Sequence, residues 1–271
     1  MNISLALAAA GIEPREARLL LAEACGFSEA SVIAQGESEL PPEIEARFTE
    51  MVARRRSGEP IAYIVGRREF YSLSLTVGPP VLIPRPETEL LVDLALERIS
   101  SAATASVLDL GTGSGAMALA IKRNRPRARV VAVEISAAAL EYAKRNAAKL
   151  GLEIELAHGD WFAPVRGERF DVVVSNPPYV ALGDPHLDRG DVRFEPRRAL
   201  VAGADGLDEI RRIVRDATQF VKAGGWLLLE HGEGQEKAVQ ALFSTAGFAG
   251  VTTWPDLAGI ARATGGTLKS D

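Results

Sequence analysis

From Ser106 onward, short β-branched apolar runs alternate with longer segments of helical period, and this alternation constrains the fold more than any other feature. A strand that returns to its own sheet through a helix must lie parallel to its neighbour, so such a sheet is covered by helices on both faces. The pattern predicts strands near 106–110, 129–134, 154–158, 170–175 and 225–231 and helices near 114–124, 136–150, 206–222 and 234–246. Phe248 to Trp254 and Gly259 to Leu268 are expected to pair as a closing antiparallel hairpin. The expected class is α/β, with a mostly parallel sheet.

The stretch before residue 69 has helical character. Pro14 opens a segment from Arg15 to Ala24, and Pro41-Pro42 opens another from Glu43 to Arg56, with Ile44, Phe48, Met51 and Val52 on one stripe. Its acidic residues come early and Arg54-Arg55-Arg56 late, as the helix macrodipole favours. Those arginines read as a solvated helix end, with an acidic partner or RNA as their other use; together with Arg67 and Arg68 they are candidate contacts to a protein partner. Ser4 to Ala10 has the apolar look of a secretion signal, but no Lys or Arg precedes it, so it reads as a helix. Gly58-Glu59-Pro60 breaks the helical pattern. Phe70 to Val77 then partly alternates before Gly78-Pro79-Pro80 turns the chain, which predicts a bridging β-hairpin. Pro86 starts a helix expected to run to about Ile99. The expected organisation is a helical region over 1–68, a linking hairpin over 69–85 and the sheet domain over 86–271.

A net charge of −5 leaves the protein as a whole unattractive to polyanions, so nucleic acid would need a local basic patch. The single cysteine, Cys25, excludes an internal disulfide, and His158, His186 and His231 lack metal-ligand spacing. A reducing, cytoplasmic setting is expected. No apolar stretch approaches membrane-spanning length.

Chemistry concentrates where predicted strands end. Val107 to Leu110 runs into Gly111-Thr112-Gly113-Ser114-Gly115, a glycine turn opening a helix, where backbone can approach a ligand and free N–H groups are expected. By itself this indicates a nucleoside-type cofactor of unspecified kind. Glu134 ends the second strand, where a carboxylate can accept both ribose hydroxyls, and that disfavours a 2′-phosphate. Asp160-Trp161 follows the third strand; an adenine there would rest on the indole and donate its amino group nearby, while core packing and a cap are the plainer uses of these residues. Asp109 precedes the first glycine, where it either faces a cationic cofactor or braces the loop. Finally, Phe170 to Ser175 is stopped by Asn176-Pro177-Pro178-Tyr179. Two prolines fix φ and remove donors, leaving carbonyl acceptors beside an Asn carboxamide and an aromatic face. This is either a turn or a stiff pocket for a planar NH2 group.

Together, the glycine turn, Glu134 and Asn176-Pro177-Pro178-Tyr179 resemble a class I S-adenosylmethionine-dependent amino-group methyltransferase. Ile83-Pro84-Arg85-Pro86-Glu87-Thr88-Glu89, Asp160-Trp161-Phe162, Asp184-Pro185-His186-Leu187 and Gly190-Asp191-Val192-Arg193-Phe194-Glu195-Pro196 narrow the resemblance to the bacterial release-factor glutamine N5-methyltransferases of the HemK/PrmC type. The likeness spans essentially the whole chain, including Leu229-Glu230-His231-Gly232. It implies a Rossmann-like sheet preceded by a small helical substrate-recognition domain. The implied substrate is the glutamine of the Gly-Gly-Gln tripeptide in class I peptide-chain release factors, whose methylation modulates translation termination. S-adenosyl-L-methionine is the implied donor, S-adenosyl-L-homocysteine the product, and no metal, membrane or direct nucleic-acid partner is implied. Carried over by position, Gly111 to Gly115 would hold the methionine part, Glu134 the ribose and Trp161 the adenine region; Asp109, Asp160 and Asn176 are further expected cofactor contacts. Asn176, Pro177, Pro178 and Tyr179 would hold the glutamine, with Asn176, Pro177 and Tyr179 catalytic. A glutamine methyltransferase of a ribosomal protein, and more remotely a DNA or RNA amino methyltransferase, share the Asn-Pro-Pro-Tyr motif.

Overall fold

The computed structural model describes residues 1–100 and 104–269; positions 101–103, 270 and 271 of the expected 86–271 domain lie outside them. The chain divides into two compact units, Met1–Arg67 with Asp188–Phe194, and Arg68–Leu187 with Glu195–Asp271.

The first unit holds α1 (Ile3–Ala9), α2 (Pro14–Cys25), α3 (Glu29–Ala34), α4 (Pro42–Arg56) and α5 (Ile61–Val65). Prolines open α2 and α4, where the missing N–H costs nothing, and Gly26 at positive φ closes α2. Leu20 and Leu21 of α2, Val32 of α3 and Phe48, Met51 and Val52 of α4 form its core. The arginine run is not a solvated end. Arg54 grips Glu59 through Nε and Nη2, and Arg56 donates to the carbonyls of Ala9 and Ala10. Arg55 donates to Glu16 from Nε and Nη2 and to Asp191 from Nη1 at 2.7 Å. Arg67 pairs with Glu23. The segment Asp188–Phe194, expected in the sheet domain, joins the helices because Asp191 meets Arg55 and Arg193 donates to the Ser57 carbonyl at 2.7 Å.

The second unit begins with a hairpin of β1 (Arg67–Phe70, its first residue belonging to the helical unit) and β2 (Leu73–Thr76). Its turn is Tyr71-Ser72, not the Gly78-Pro79-Pro80 corner. Both turn residues have positive φ, the pairing that matches strand twist, without a glycine to signal it. Glu89 accepts from the Tyr71 N–H and Asp93 from the Tyr71 hydroxyl, which holds the turn.

Next come α6 (Glu89–Arg98), β3 (Ser106–Leu110), α7 (Ala116–Asn124), β4 (Arg129–Glu134), α8 (Ala137–Leu150), β5 (Glu155–His158), β6 (Phe170–Ser175), α9 (Asp208–Ala217), β7 (Val221–Glu230), α10 (Glu236–Thr245), β8 (Phe248–Pro255) and β9 (Ala261–Leu268). Seven strands form one sheet in the order β5-β4-β3-β6-β7-β9-β8. β3 to β7 pair in parallel and β9 pairs antiparallel with both β7 and β8, as the alternating pattern and the closing hairpin predict. α9 stops short of the expected helix because the chain turns into β7, which starts early and bulges through Lys222–Gly225 opposite Asp171. The central parallel strands β3, β4 and β6 are buried on both faces, whereas the edge strand β5 is partly exposed. Leu119 and Val172 lie in one core and Leu108, Phe170 and Ile213 in the other. The strand order reverses direction between β3 and β6, and ligands in such sheets bind at the carboxyl ends beside that point.

Candidate active site

A cleft of about 390 Å³ opens there. Four strand ends contribute: Gly111 and Gly113 after β3, Glu134 to Ser136 after β4, Asp160 and Trp161 after β5, Asn176 and Pro178 after β6. Pro80 to Leu82, Pro196, Arg198 and Glu209 and Arg212 of α9 line the rest. Ser175 ties two of those ends together, its hydroxyl donating to the Leu110 carbonyl at 2.7 Å.

The glycine turn is more tightly bonded than its sequence predicts. The N–H groups of Gly111 and Thr112 donate to the Val133 carbonyl, and that of Gly113 to Glu134 Oε2 at 2.9 Å, so these three are not free for a ligand. Positive φ at Gly111, Gly113 and Gly115 lets the chain fold this closely. At Gly111 a Cβ would also meet the Trp161 ring at 3.2 Å. Thr112 and Ser114 are buried rather than cleft-lining. Asp109 is fully buried beneath the turn; Oδ2 accepts from the Thr112 hydroxyl at 2.6 Å and the Ala118 N–H at 3.1 Å, while Oδ1 has no partner. It braces the loop and does not line the cleft. Burial pushes its pKa up to about 7, against those two hydrogen bonds and with the Glu134 charge adding to the rise.

Glu134 reaches the cleft with one oxygen bonded to Gly113 and the other to the Ser136 N–H at 2.8 Å. Each carboxylate oxygen keeps a second acceptor site. Asp160 pairs with Arg212 at 2.6 Å. Arg212 also donates to Glu209, which accepts the Trp161 indole N–H at 2.7 Å. Trp161 is therefore held at the cleft wall by its polar edge rather than lost in the core, and its backbone sits at φ 43°.

At the end of β6 the four motif residues divide. Asn176 and Pro178 line the cleft, whereas Pro177 is buried and the Tyr179 hydroxyl turns inward to Glu230 Oε1 at 3.1 Å. The Asn176 NH2 donates to Thr88 Oγ1 at 3.0 Å, and Thr88 in turn donates to Glu230 Oε2 at 2.7 Å. Asn176 Oδ1 has no partner among the described residues and is not enclosed by protein. Burial pushes Glu230 up to about 7, opposed by its bonds from Thr88 and Tyr179. Gln235 donates to the Tyr179 carbonyl at 3.0 Å. Glu195, fully buried, accepts from the Ile83 N–H at 2.9 Å and from Arg85, clasping the Ile83–Arg85 and Glu195–Arg198 sides of the cleft. Thr88, Glu195 and Glu230 carry no signal of these roles in local periodicity; only their place in the quoted stretches marked them.

Seven strands in this order, with a carboxylate after the second and Asn-Pro-Pro-Tyr after the fourth, define a class I methyltransferase. A model described as "Methyltransferase small domain" matches residues 87–189, and one described as "PrmC N-terminal domain" matches residues 2–66. The chain is 51% identical to the release factor glutamine methyltransferase of Burkholderia pseudomallei, over 97% of this chain and 94% of that one. It is 50% identical to that of Pseudomonas aeruginosa over 92% and 90%. Among solved structures it resembles a methyltransferase from Pyrococcus furiosus, with a TM-score of 0.57 at 18% identity over 82% of this chain and 100% of that one. It also resembles the Thermus thermophilus 16S rRNA N2 G1207 methyltransferase, with a TM-score of 0.54 at 22% identity over 75% and 50%. The chain belongs to the release factor glutamine methyltransferase family.

Proposed function

We propose that the protein transfers a methyl group from S-adenosylmethionine to the side-chain amide nitrogen of a release-factor glutamine, that of the Gly-Gly-Gln tripeptide. The observation that carries this reading is Asn176, whose NH2 is taken by Thr88 while Oδ1 is left without a protein partner at a cleft wall. The donor supplies an electrophilic methyl when bound. The cleft residues suit it chemically. Glu134 has acceptor capacity left for vicinal hydroxyls, the Trp161 indole is a flat apolar wall, and the orphan oxygen of Asp109 favours positive charge above the turn.

An amide nitrogen is a weak nucleophile because its lone pair is delocalised into the carbonyl. What the chain contributes is orientation and electron density. Asn176 Oδ1 and the Pro177 carbonyl each accept one N–H of the substrate amide, which fixes the nitrogen. Pro178 and the Tyr179 ring back the amide plane, and the released proton passes to water. The glycine of a tripeptide carries no side chain to read, so the helical unit is the part of this chain that recognises the rest of the release factor. With one half-buried cysteine the protein suits a reducing cytoplasm.

The test is methyl transfer from labelled S-adenosylmethionine to a purified class I release factor, its Gln→Ala variant, ribosomal subunits and DNA. Only the unaltered release factor should be labelled. Asn176→Ala should reduce kcat by about 10²-fold or more, the scale of losing one preorganised transition-state partner, with donor affinity retained. Labelling of the Gln→Ala factor, or wild-type turnover by Asn176→Ala, would overturn the reading.

A further inference from the structure

A carboxamide presents an acceptor on one side and a donor on the other, and only the acceptor side can grip a substrate NH2. Something must decide which way Asn176 points. Thr88 Oγ1 has a single proton. It gives that proton to Glu230 Oε2 at 2.7 Å, so toward Asn176, at 3.0 Å, it can only accept. The Asn176 side facing Thr88 must therefore be NH2, and Oδ1 must face the cleft. The second Glu230 oxygen accepts the Tyr179 hydroxyl at 3.1 Å, so one carboxylate fixes both polar members of the motif. Thr88 and Glu230 are 5% and 2% exposed, so the bond between them is buried, while those from Asn176 and Tyr179 are part-buried.

We propose that Glu230 and Thr88 are positioning residues that lock the polarity of the Asn176 carboxamide: the carboxylate sets the direction of a proton-ordered chain, Asn176 to Thr88 to Glu230, that aims the acceptor at the substrate. This rests on the reading of Asn176 as substrate acceptor. The lock depends on Glu230 being ionised. A protonated Glu230 can donate to Thr88, Thr88 can then donate to Asn176 Oδ1, and the carboxamide turns over to present NH2 to NH2. Arg262 on β9 favours the ionised form, Glu87 beside Thr88 disfavours it, and Tyr179 donates to it from the end of β6. With Glu230 held near 7 by burial, kcat should fall as pH drops through that value. Asp109 titrates in the same range but lies under the cofactor turn, so kcat is read at saturating S-adenosylmethionine.

The experiment measures kcat and KM of full-length protein with S-adenosylmethionine and a whole release factor across pH. It compares Thr88→Val, Thr88→Ser, Glu230→Gln and Asn176→Ala. Thr88→Val should lower kcat at least about tenfold, a fraction of what deleting the acceptor itself costs, with the S-adenosylmethionine KM kept. Thr88→Ser should restore most of it, and Glu230→Gln should lose the acidic limb of the profile. Thr88→Val within twofold of wild type, Thr88→Ser as defective as Thr88→Val, or an unchanged acidic limb in Glu230→Gln overturns the lock. If Asn176→Ala is inactive in that same set, the acceptor reading survives; if Asn176→Ala is active, both fall. Should Thr88→Val not fold, as judged by circular dichroism, the Glu230→Gln pH profile decides alone.

Discussion

Replacing Asp109 by Asn should stabilise the protein above neutral pH and leave it unchanged in mild acid. The Asp109 carboxyl titrates at about 7 in the folded chain and near 3.8 when unfolded, because burial at the end of β3 outweighs its two hydrogen bonds. The folded state thus binds the proton more tightly. The associated stability is fully present below about 3.8 and is lost as pH rises through about 7. At ~1.4 kcal/mol per pH unit within that window, moving from about pH 8 to about pH 5 restores roughly 2–3 kcal/mol. Glu230, raised by burial to about 7, adds a slope of the same sign, and His231, which burial holds below its usual range, opposes it in acid. The comparison with Asp109→Asn isolates the one group. The Asn carbonyl can take over both bonds now made by Oδ2, and its NH2 replaces the oxygen that has no partner.

Thermal melts of both proteins across that range provide the assay. For a chain of this size each kcal/mol moves Tm by ~2–4 °C, so the variant should melt roughly 5–10 °C higher near pH 8 and converge with wild type near pH 5. Parallel curves, or a variant less stable at high pH, would refute the account of Asp109 as an unrelieved buried charge. The same substitution should weaken S-adenosylmethionine binding in calorimetry, since it removes the negative charge beneath the turn. Gain in stability and loss of affinity from one change is the signature of a group kept for function at the expense of the fold.

Glu195→Ala should destabilise the sheet unit by ~3–5 kcal/mol in denaturant unfolding, because it leaves Arg85 and the Ile83 N–H without their buried acceptor. Gly206→Ala should reduce kcat/KM by about tenfold or more while the protein stays folded, since its Cβ would stand 2.2 Å from the Tyr179 carbonyl and displace the motif, at a φ of 75° that Ala adopts poorly. A variant with wild-type kinetics would show that the position of Tyr179 is immaterial.

The central strands β3, β4 and β6 were legible because each is a short buried run, a signal contained within its own residues. The same holds for the glycine turn and for Asn176, which lie where those runs end. What the sequence could not convey is pairing across long separations. Thr88 and Glu230 are 142 residues apart, Ile83 and Glu195 112, Arg55 and Asp191 136. Nothing in local period reports such partners. The arginines at the end of α4 illustrate the limit. Their position is what a macrodipole favours, and that alone made a solvated end the natural reading, yet each has a specific internal acceptor.

The hidden contacts share a chemical logic. Thr88, Tyr179, Ile83 and Arg85 each carry a donor that needs an acceptor within the protein. Two carboxylates meet them, Glu230 at the end of β7 and Glu195 in the loop before α9. Each carboxylate accepts with both oxygens from segments remote in sequence, and each holds a wall of the cleft. A carboxylate suits this task because it has no proton to give. Every partner must donate to it, so it fixes not only where the neighbouring groups sit but which way their hydrogens point. An amide or hydroxyl at either position would leave that direction undetermined. At this strand end Pro177 and Pro178 constrain the backbone, while the buried carboxylates constrain the polarity of the side chains around it.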